Sequence, residues 1–254
     1  MDSHGEHENL NGAERARRRF LGQIAAAAGL ALAPGLVFIR LARARTADQP
    51  VTSAVRWSML VDTTKCARGC DACVRACSKE NGWRYPPVRP ETDAQWIRTL
   101  TVTDKRTGRV QHLPMMCQHC EYPPCVDVCP TGASFRRADG IVLVDRHLCI
   151  GCRYCMMACP YKARSFVAEA LHDQKTFAPR GIGTVEGCTF CVHRVDTGRQ
   201  PACVEACAAQ GNNALVFGDL NDPNSTIARL RARDGGAEIR SDLDLDTGVR
   251  YLGL

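Results

Sequence analysis

Residues 149–160 read CIGCRYCMMACP, a run of four cysteines spaced C-x2-C-x2-C-x3-C and followed by proline. Three cysteines this close together wrap a loop around one iron–sulfur cubane, so that three of its irons are ligated locally. The fourth cysteine is expected to begin a helix that points elsewhere and to ligate a neighbouring cluster. The run therefore predicts one half of a paired [4Fe–4S] site.

The chain contains sixteen cysteines, which fall into four compact quartets with none left over. Pro130 follows the last cysteine of the second quartet, as Pro160 follows that of the third. The repeat predicts four clusters of one kind. The quartets are Cys66, Cys70, Cys73 and Cys77 (one); Cys117, Cys120, Cys125 and Cys129 (two); Cys149, Cys152, Cys155 and Cys159 (three); Cys188, Cys191, Cys203 and Cys207 (four).

Disulfides and zinc are the alternative roles for these cysteines. The chain has only five Tyr, seven Phe and three Trp, so a core short of large apolar side chains needs bridges or metal sites to hold it together. Zinc usually takes two separated cysteine pairs, whereas quartets one and three each place four cysteines within about a dozen residues. Iron–sulfur ligation is favoured, and a metal-free, disulfide-rich exported binding module is the remote alternative.

The formal net charge of +6 does not indicate a nucleic-acid partner. Anionic clusters would reverse its sign, and no basic run lies beside stacking aromatic side chains. The sequence also shows no nucleophile–base pair, Gly-rich phosphate loop or substrate-binding constellation. We therefore expect an electron relay with no catalytic residue and no direct small-molecule substrate.

Residues 1–44 are predicted to be a twin-arginine export signal. Arg17, Arg18 and Arg19 precede an apolar stretch of sixteen residues at 24–39, and small residues near position 44 offer a cleavage site. This stretch is shorter than the roughly 20 residues of a spanning helix, so a retained anchor is the second interpretation. The twin-arginine route exports proteins with cofactors already inserted. We expect a periplasmic protein attached peripherally to the membrane through partners.

Four short motifs accompany the quartets: CPTGA at 129–133, DGIV at 139–142, CTFC at 188–191, and FGD at 217–219 followed by Asp222-Pro223. From about Trp57 to the C-terminus, the chain thereby resembles the four-cluster ferredoxin-like subunits of respiratory oxidoreductases. That family includes subunits of polysulfide, tetrathionate and dimethyl sulfoxide reductases and of hydrogenase-2.

The resemblance implies four [4Fe–4S] clusters with ligands exchanged between quartets one and four and between quartets two and three. Carried over residue by residue, it gives four ligand sets, which we call sites 1 to 4. They are Cys66, Cys70, Cys73 and Cys207 (site 1); Cys77, Cys188, Cys191 and Cys203 (site 2); Cys117, Cys120, Cys125 and Cys159 (site 3); and Cys129, Cys149, Cys152 and Cys155 (site 4).

The expected fold class is α+β, with two tandem two-cluster ferredoxin-like modules, one inserted in the other. Residues 55–109 plus 185–217 are predicted to form the outer module and residues 110–184 the inner module. Residues 218–254 are predicted to be a packing or docking tail. Within the tail, Asn224 or Ser225 is expected to cap a helix over 226–233.

Quartet one departs from the family pattern, because three residues separate Cys66 from Cys70 where two are usual. Gly69 is expected to absorb the extra residue by taking a positive φ angle. This spacing and the export signal are most similar to the periplasmic iron–sulfur subunit of the sulfite-reductase-associated membrane complex. The resemblance implies electron exchange with an integral-membrane quinone-reacting subunit, a multihaem cytochrome c and further complex subunits. A molybdopterin reductase or a hydrogenase is the alternative setting.

Several residues near the quartets invite a functional role. His119 and His193 lie close to cysteines, but all quartets are complete in cysteine, so we expect these rings to bond backbone or to tune a cluster. Lys65, Lys79 and Lys162 are expected to be ordinary surface lysines. Trp57, Trp83 and Trp96 are expected to serve mainly as packing.

Overall fold

The computed structural model describes residues 49–172 and 174–254. The predicted export signal at 1–44 lies outside these residues. No helix among the residues described is long and apolar enough to cross a membrane.

The strands of the described ranges are short and form one three-stranded sheet and three two-stranded sheets. In chain order they are β1 (Trp57–Asp62), β2 (Ile97–Thr103), β3 (Val110–Met116), β4 (Ser134–Arg136), β5 (Val142–Val144), β6 (Arg164–Phe166), β7 (Val185–Gly187), β8 (Leu215–Asp219) and β9 (Val249–Leu252).

The helices are also short, and most of those in the same ranges contain or adjoin cysteines. They are α1 (Ala72–Asn81), α2 (Pro124–Asp127), α3 (Tyr154–Ala158), α4 (Val192–Val195), α5 (Ala202–Ala209) and α6 (Thr226–Asp234), with 3-10 turns at Thr63–Lys65 and Ser241–Leu243. Together with the small sheets, they confirm the predicted α+β class.

The three-stranded sheet has the order β8-β1-β9, in which β1 pairs antiparallel with β8 and parallel with β9. Four consecutive residues of β1 are buried, as expected of a central strand covered on both faces. The Trp57 ring stacks on Phe217 of β8, with ring centroids 5.3 Å apart. This sheet ties the beginning of the described chain to its last residues.

Two helix pairs carry the cysteines. Helix α1 of quartet one packs against α5 of quartet four, and α2 of quartet two packs against α3 of quartet three. Each helix spans the gap between the third and fourth cysteines of its quartet. The expectation that a helix begins at the fourth cysteine was therefore wrong: Cys129 and Cys159 lie just after α2 and α3, and Cys77 and Cys207 lie inside α1 and α5.

The predicted module boundaries do not coincide with breaks in the sheets. The boundary at 109/110 separates β2 from its partner β3, and the boundary at 184/185 separates β6 from β7. The boundary at 217/218 falls inside β8. The strands that enter and leave the central part of the chain pair with each other across 109/110 and 184/185, because their backbone groups are satisfied only by a neighbouring strand.

The C-terminal segment packs into the core. Ser225 caps α6 as predicted, because its Oγ accepts a hydrogen bond from the Ala228 N–H at 3.1 Å. Ile227 is fully buried, with its side chain close to Gly218 of β8. Val249 and Tyr251 of β9 are also buried. The segment at 218–254 is thus in large part a packed component of the sheet it follows.

One backbone conformation recurs in all four cysteine loops. The residue directly before the second cysteine of each quartet has a positive φ: Gly69 (+75°), His119 (+46°), Gly151 (+71°) and Phe190 (+51°). Left-handed residues of this kind turn successive backbone N–H groups toward a common concavity, a geometry found at iron–sulfur sites. The positive φ expected at Gly69 is confirmed.

Gly69 and Gly151 share this conformation but differ in their surroundings. A Cβ on Gly69 would meet nothing within 4 Å, whereas a Cβ on Gly151 would lie 2.2 Å from the Gly183 carbonyl oxygen. Gly69→Ala should therefore cost only the left-handed strain, about 1–2 kcal/mol. Gly151→Ala should cost clearly more, because the Gly183 backbone must also move.

Thermal unfolding of the two variants under anaerobic conditions, followed by circular dichroism, measures this difference. The matched pair isolates the backbone collision from the φ strain. Equal losses of stability in the two variants would contradict the close packing of Gly151 on Gly183.

Candidate iron–sulfur sites

All sixteen cysteines lie within the described residues, and all are free thiols. The disulfide framework considered from composition is therefore absent from this part of the chain. No three His, Cys, Asp or Glu side chains of the described residues form a group that could hold a single metal ion.

The four cysteines of site 1 line one cavity. Its lining consists of Cys66, Cys70 and Cys73 of quartet one and Cys207 of quartet four, together with Leu113 and other apolar residues of the β2–β3 hairpin region. Burial and the nearby thiols of Cys207 and Cys70 raise the pKa of the Cys66 thiol to about 11.

The four cysteines of site 2 line a second cavity. Cys77 comes from quartet one, and its three companions, Cys188, Cys191 and Cys203, come from quartet four. Burial, and then Cys191, raise the pKa of Cys77, and burial raises the pKa values of Cys188 and Cys203 well above the usual thiol value.

The four cysteines of site 4 line a third cavity. Cys149, Cys152 and Cys155 lie on one side of it, and Cys129 of quartet two completes the lining. Burial tends to raise the pKa of Cys129, but hydrogen bonds from the backbone of Ser134 and from Thr131 outweigh it and lower the pKa.

The cysteines of site 3 also lie together. Burial is the main cause of the raised pKa of Cys120, and the next three are the charges of Cys117, Cys125 and Cys159. These are the other three members of the site. Burial also raises the pKa of Cys117 to about 12, although the nearby Arg164 guanidinium opposes the shift.

Each of the helices α1, α2, α3 and α5 joins two neighbouring sites. Cys73 and Cys77 are four residues apart on α1, so they lie one turn and about 6 Å apart along its axis. One belongs to site 1 and the other to site 2. The same spacing links sites 1 and 2 through α5, and sites 3 and 4 through α2 and α3. Cys117 of site 3 and Cys188 of site 2 line a common cavity.

Burial differs between the inner and outer sites. At sites 2 and 3, seven of the eight cysteines are buried, and Cys188 is half-buried. At sites 1 and 4, only Cys207 and Cys155 are buried, and Cys152 is exposed. The sites therefore form a row whose middle is shielded from water and whose two ends approach the surface.

Backbone and side-chain N–H groups point at the cysteine sulfurs of all four sites. The Ala214 N–H lies 3.2 Å from Cys207 Sγ, and the Phe190 N–H lies 3.5 Å from Cys188 Sγ. At site 3, Arg164 Nη2 lies 3.1 Å from Cys125 Sγ, and at site 4 the Ser134 N–H lies 3.3 Å from Cys129 Sγ. Hydrogen bonds to cluster sulfur are one means by which a protein sets a cluster potential.

The two histidines and Lys65 have ordinary partners, and Lys65, Lys79 and Lys162 are exposed as expected. His119 is fully buried, and its Nδ1 accepts a hydrogen bond from the Val142 N–H at 3.0 Å, so the predicted backbone bond is confirmed. His193 instead contacts a side chain, with Nε2 2.9 Å from Glu80 Oε1. Lys65 forms an ion pair with Asp62.

The tryptophans pack in the core as expected, and two aromatic contacts lie beside the cysteines. Trp96 lines the cavities at Cys77 and at Cys117. The His119 ring stacks on Phe190 with centroids 3.6 Å apart, which brings the loops of quartets two and four into contact. Burial lowers the pKa of His119 to about 3, so this ring is neutral at ordinary pH.

Sequence reasoning missed Arg164. It is one of 33 Lys and Arg residues and lies five positions after Cys159, where nothing in the spacing distinguishes it. In the structure it is buried and reaches the sulfur of Cys125. Only the fold shows that this arginine belongs to the site.

The residues present fit [4Fe–4S] clusters. Free thiols gather in sets of four, N–H donors point at their sulfurs, and a buried cation lies among them. The high pKa values show that most of these thiols would be protonated without a metal, whereas iron binding deprotonates a thiol outright and offsets the cost of burying it.

Comparison with known families supports the same assignment. Residues 64–133 match one 4Fe-4S dicluster domain model, and residues 109–219 match a second. Two dicluster domains and sixteen cysteines correspond to four [4Fe–4S] clusters.

The chain is similar over most of its length to curated proteins. It is 41% identical to the Hdr-like menaquinol oxidoreductase iron-sulfur subunit 1 of Archaeoglobus fulgidus, over 94% of this chain and 98% of that protein. It is 36% identical to a tetrathionate reductase subunit of Salmonella typhimurium, over 95% of this chain and 89% of that protein. It is also 36% identical to a sulfite dehydrogenase subunit of Allochromatium vinosum, over 77% of this chain and 82% of that protein. The chain belongs to the family of ferredoxin-like iron–sulfur subunits that transfer electrons in oxidoreductase complexes.

Proposed function

We propose that this subunit relays electrons through sites 1 to 4 between an integral-membrane quinone-reacting subunit and redox partners of a periplasmic sulfur-metabolism complex. The row of cysteine sets is the observation that carries the proposal, because its buried middle and its two surface-near ends suit transfer between different partners. The clusters supply the one-electron chemistry when bound.

Each site is proposed to hold one cluster on its four cysteines. Three cavities, each lined by all four cysteines of one set, support this for sites 1, 2 and 4, and mutual electrostatic influence supports it for site 3. The exchange of fourth cysteines implies an inner module inserted into an outer one. The packing of α1 on α5 and of α2 on α3 supports that arrangement.

The order of transfer is proposed to run 1-2-3-4 or its reverse. Helical turns link site 1 to site 2 and site 3 to site 4. Cys117 and Cys188, together with the His119–Phe190 stack, bring site 2 beside site 3. The protein's own part is to supply the cysteine ligands, to place ligands of neighbouring sites one helical turn apart, and to exclude water from the middle sites.

The two ends of the row differ in surface chemistry. Around site 4, Ile150 and Met157 are 67% and 73% exposed, and Leu148, Tyr154 and Ile182 are also exposed. Around site 1, the exposed residues include Lys65, Arg68 and Arg75. A surface with several neighbouring apolar side chains marks an interaction site. We assign the apolar end at site 4 to the membrane subunit and the basic end at site 1 to the other redox partner.

The relatives support the pathway. One is named for menaquinol oxidation, and two are named for reactions of tetrathionate and sulfite. A periplasmic location, reached by twin-arginine export and peripheral attachment to the membrane, follows from residues 1–44 and is part of the proposal. A multihaem cytochrome c is proposed as a further partner.

The exchange of fourth cysteines makes a sharp prediction. Cys159→Ser should perturb the same electron paramagnetic resonance signal as Cys117→Ser, although Cys159 belongs to the same quartet as Cys155. Cys129→Ser should instead perturb the signal affected by Cys155→Ser. These spectra, recorded on reduced, anaerobically purified protein, would contradict the assignment if Cys159→Ser and Cys155→Ser altered one common signal.

The docking assignment is tested by a single charge on the apolar end. Met157→Asp should strongly reduce co-purification of the integral-membrane subunit from native membranes, because an aspartate would be buried without a partner in the interface. The matched control is Val102→Asp, at a residue 44% exposed on the β2–β3 hairpin. Equal recovery of the membrane subunit with both variants would contradict the assignment.

Mass spectrometry of the subunits that co-purify with the unaltered chain identifies the pathway. A quinone-reacting membrane subunit together with a multihaem cytochrome would support the sulfite-linked complex. If a molybdopterin or nickel–iron catalytic subunit co-purifies in their place, the chain is still an electron relay, but the sulfite-linked assignment is wrong.

A further inference from the structure

Arg164 lies buried between sites 3 and 4. It begins β6 and is only 7% exposed. Its Nη2 lies 3.1 Å from Cys125 Sγ and 2.9 Å from Ser134 Oγ, while its Nη1 has no hydrogen-bond partner among the described residues. A guanidinium in such a position reaches the thiolate ligands directly.

The positive charge of Arg164 is not balanced by a carboxylate of the described chain. Arg137, Arg180 and Arg194 are also largely buried, and each forms ion pairs with Asp or Glu side chains. Arg164 forms no such pair within residues 49–172 and 174–254. Because burying an unpaired charge is costly, some other anion must compensate it. Within these ranges, the anionic groups placed to do so are the cysteine sulfurs and the clusters they hold.

Cysteines of both site 3 and site 4 lie near the Arg164 guanidinium. Cys125 and Cys117 of site 3 and Cys155 of site 4 are the groups whose charges act most strongly on Arg164. Ser134 connects the two sites, because its Oγ accepts from Arg164 while its N–H points at Cys129 Sγ of site 4. The guanidinium therefore contacts a cysteine of site 3 directly and reaches site 4 through Ser134.

We propose that Arg164 is a positioning residue that raises the reduction potentials of the clusters at sites 3 and 4, site 3 most strongly, and so favours electrons at that end of the row. The proposal rests on the ligand sets proposed above. Reduction adds one negative charge to a cluster, and a fixed positive charge at hydrogen-bond distance from its ligand stabilises that charge in a medium of low dielectric constant.

The test is a potentiometric titration of the clusters in the complete, anaerobically purified chain, followed by electron paramagnetic resonance. Arg164→Gln removes the charge and keeps a hydrogen-bond donor, whereas Arg164→Lys keeps the charge. The matched control is Arg106→Gln, which makes the same charge change on the exposed turn of the β2–β3 hairpin.

In Arg164→Gln, two of the four midpoint potentials should fall, and the larger fall should be a tenfold or greater change in the reduced-to-oxidised ratio, which is 59 mV for one electron. In Arg164→Lys, both midpoint potentials should stay close to those of the unaltered chain. In Arg106→Gln, none of the four midpoint potentials should change. Four unchanged potentials in Arg164→Gln, or an equal shift of all four, would overturn the proposal.

Iron content distinguishes failure of this proposal from failure of the ligand sets. If Arg164→Gln loses iron while Arg164→Lys retains it, the requirement for a positive charge is supported. If Arg164→Lys also loses iron, the guanidinium is needed for its shape and the proposal falls. If Arg164→Gln keeps its full iron content but the signals that shift are not those that the cysteine variants assign to sites 3 and 4, the ligand sets are overturned instead.

Discussion

The rest of the structure depends on one turn of helix between the third and fourth cysteine of each quartet. The third and fourth cysteines of each quartet are four positions apart in the sequence, as Cys73 and Cys77 are. The helix between them (α1, α2, α3 or α5) therefore serves two neighbouring sites. The cavities of sites 1, 2 and 4 are each completed by a cysteine from a second quartet. The packing of α1 on α5 and of α2 on α3 brings these distant segments of the chain together.

The burial of charge follows from the same arrangement. Thiols in the middle of the row are so far from water that burial raises their pKa values well above the usual range. A buried arginine without a carboxylate partner in the described chain and several N–H donors surround sulfurs that carry charge once iron is bound. Groups that would be costly if left unpaired are therefore mutually compensating in the metal-loaded protein.

Spacing within the quartets predicted the cofactor, and the family resemblance supplied the ligand sets. Local rules also predicted the positive φ at Gly69 and the cap at Ser225. Sequence could not predict the strand pairing across 109/110 and 184/185, or that β8 runs through 217/218, because short strands choose partners by tertiary contact. Arg164 was missed for the same reason, since its role depends on neighbours 30 and 39 residues away.

The central claim is that four one-electron centres act together in this one chain. Stepwise anaerobic reduction of the purified protein, with absorbance followed after each addition of reductant, counts the electrons taken up per chain. The account predicts four, one for each [4Fe–4S] cluster. Uptake of two electrons, or a colourless protein that takes up none, would contradict it.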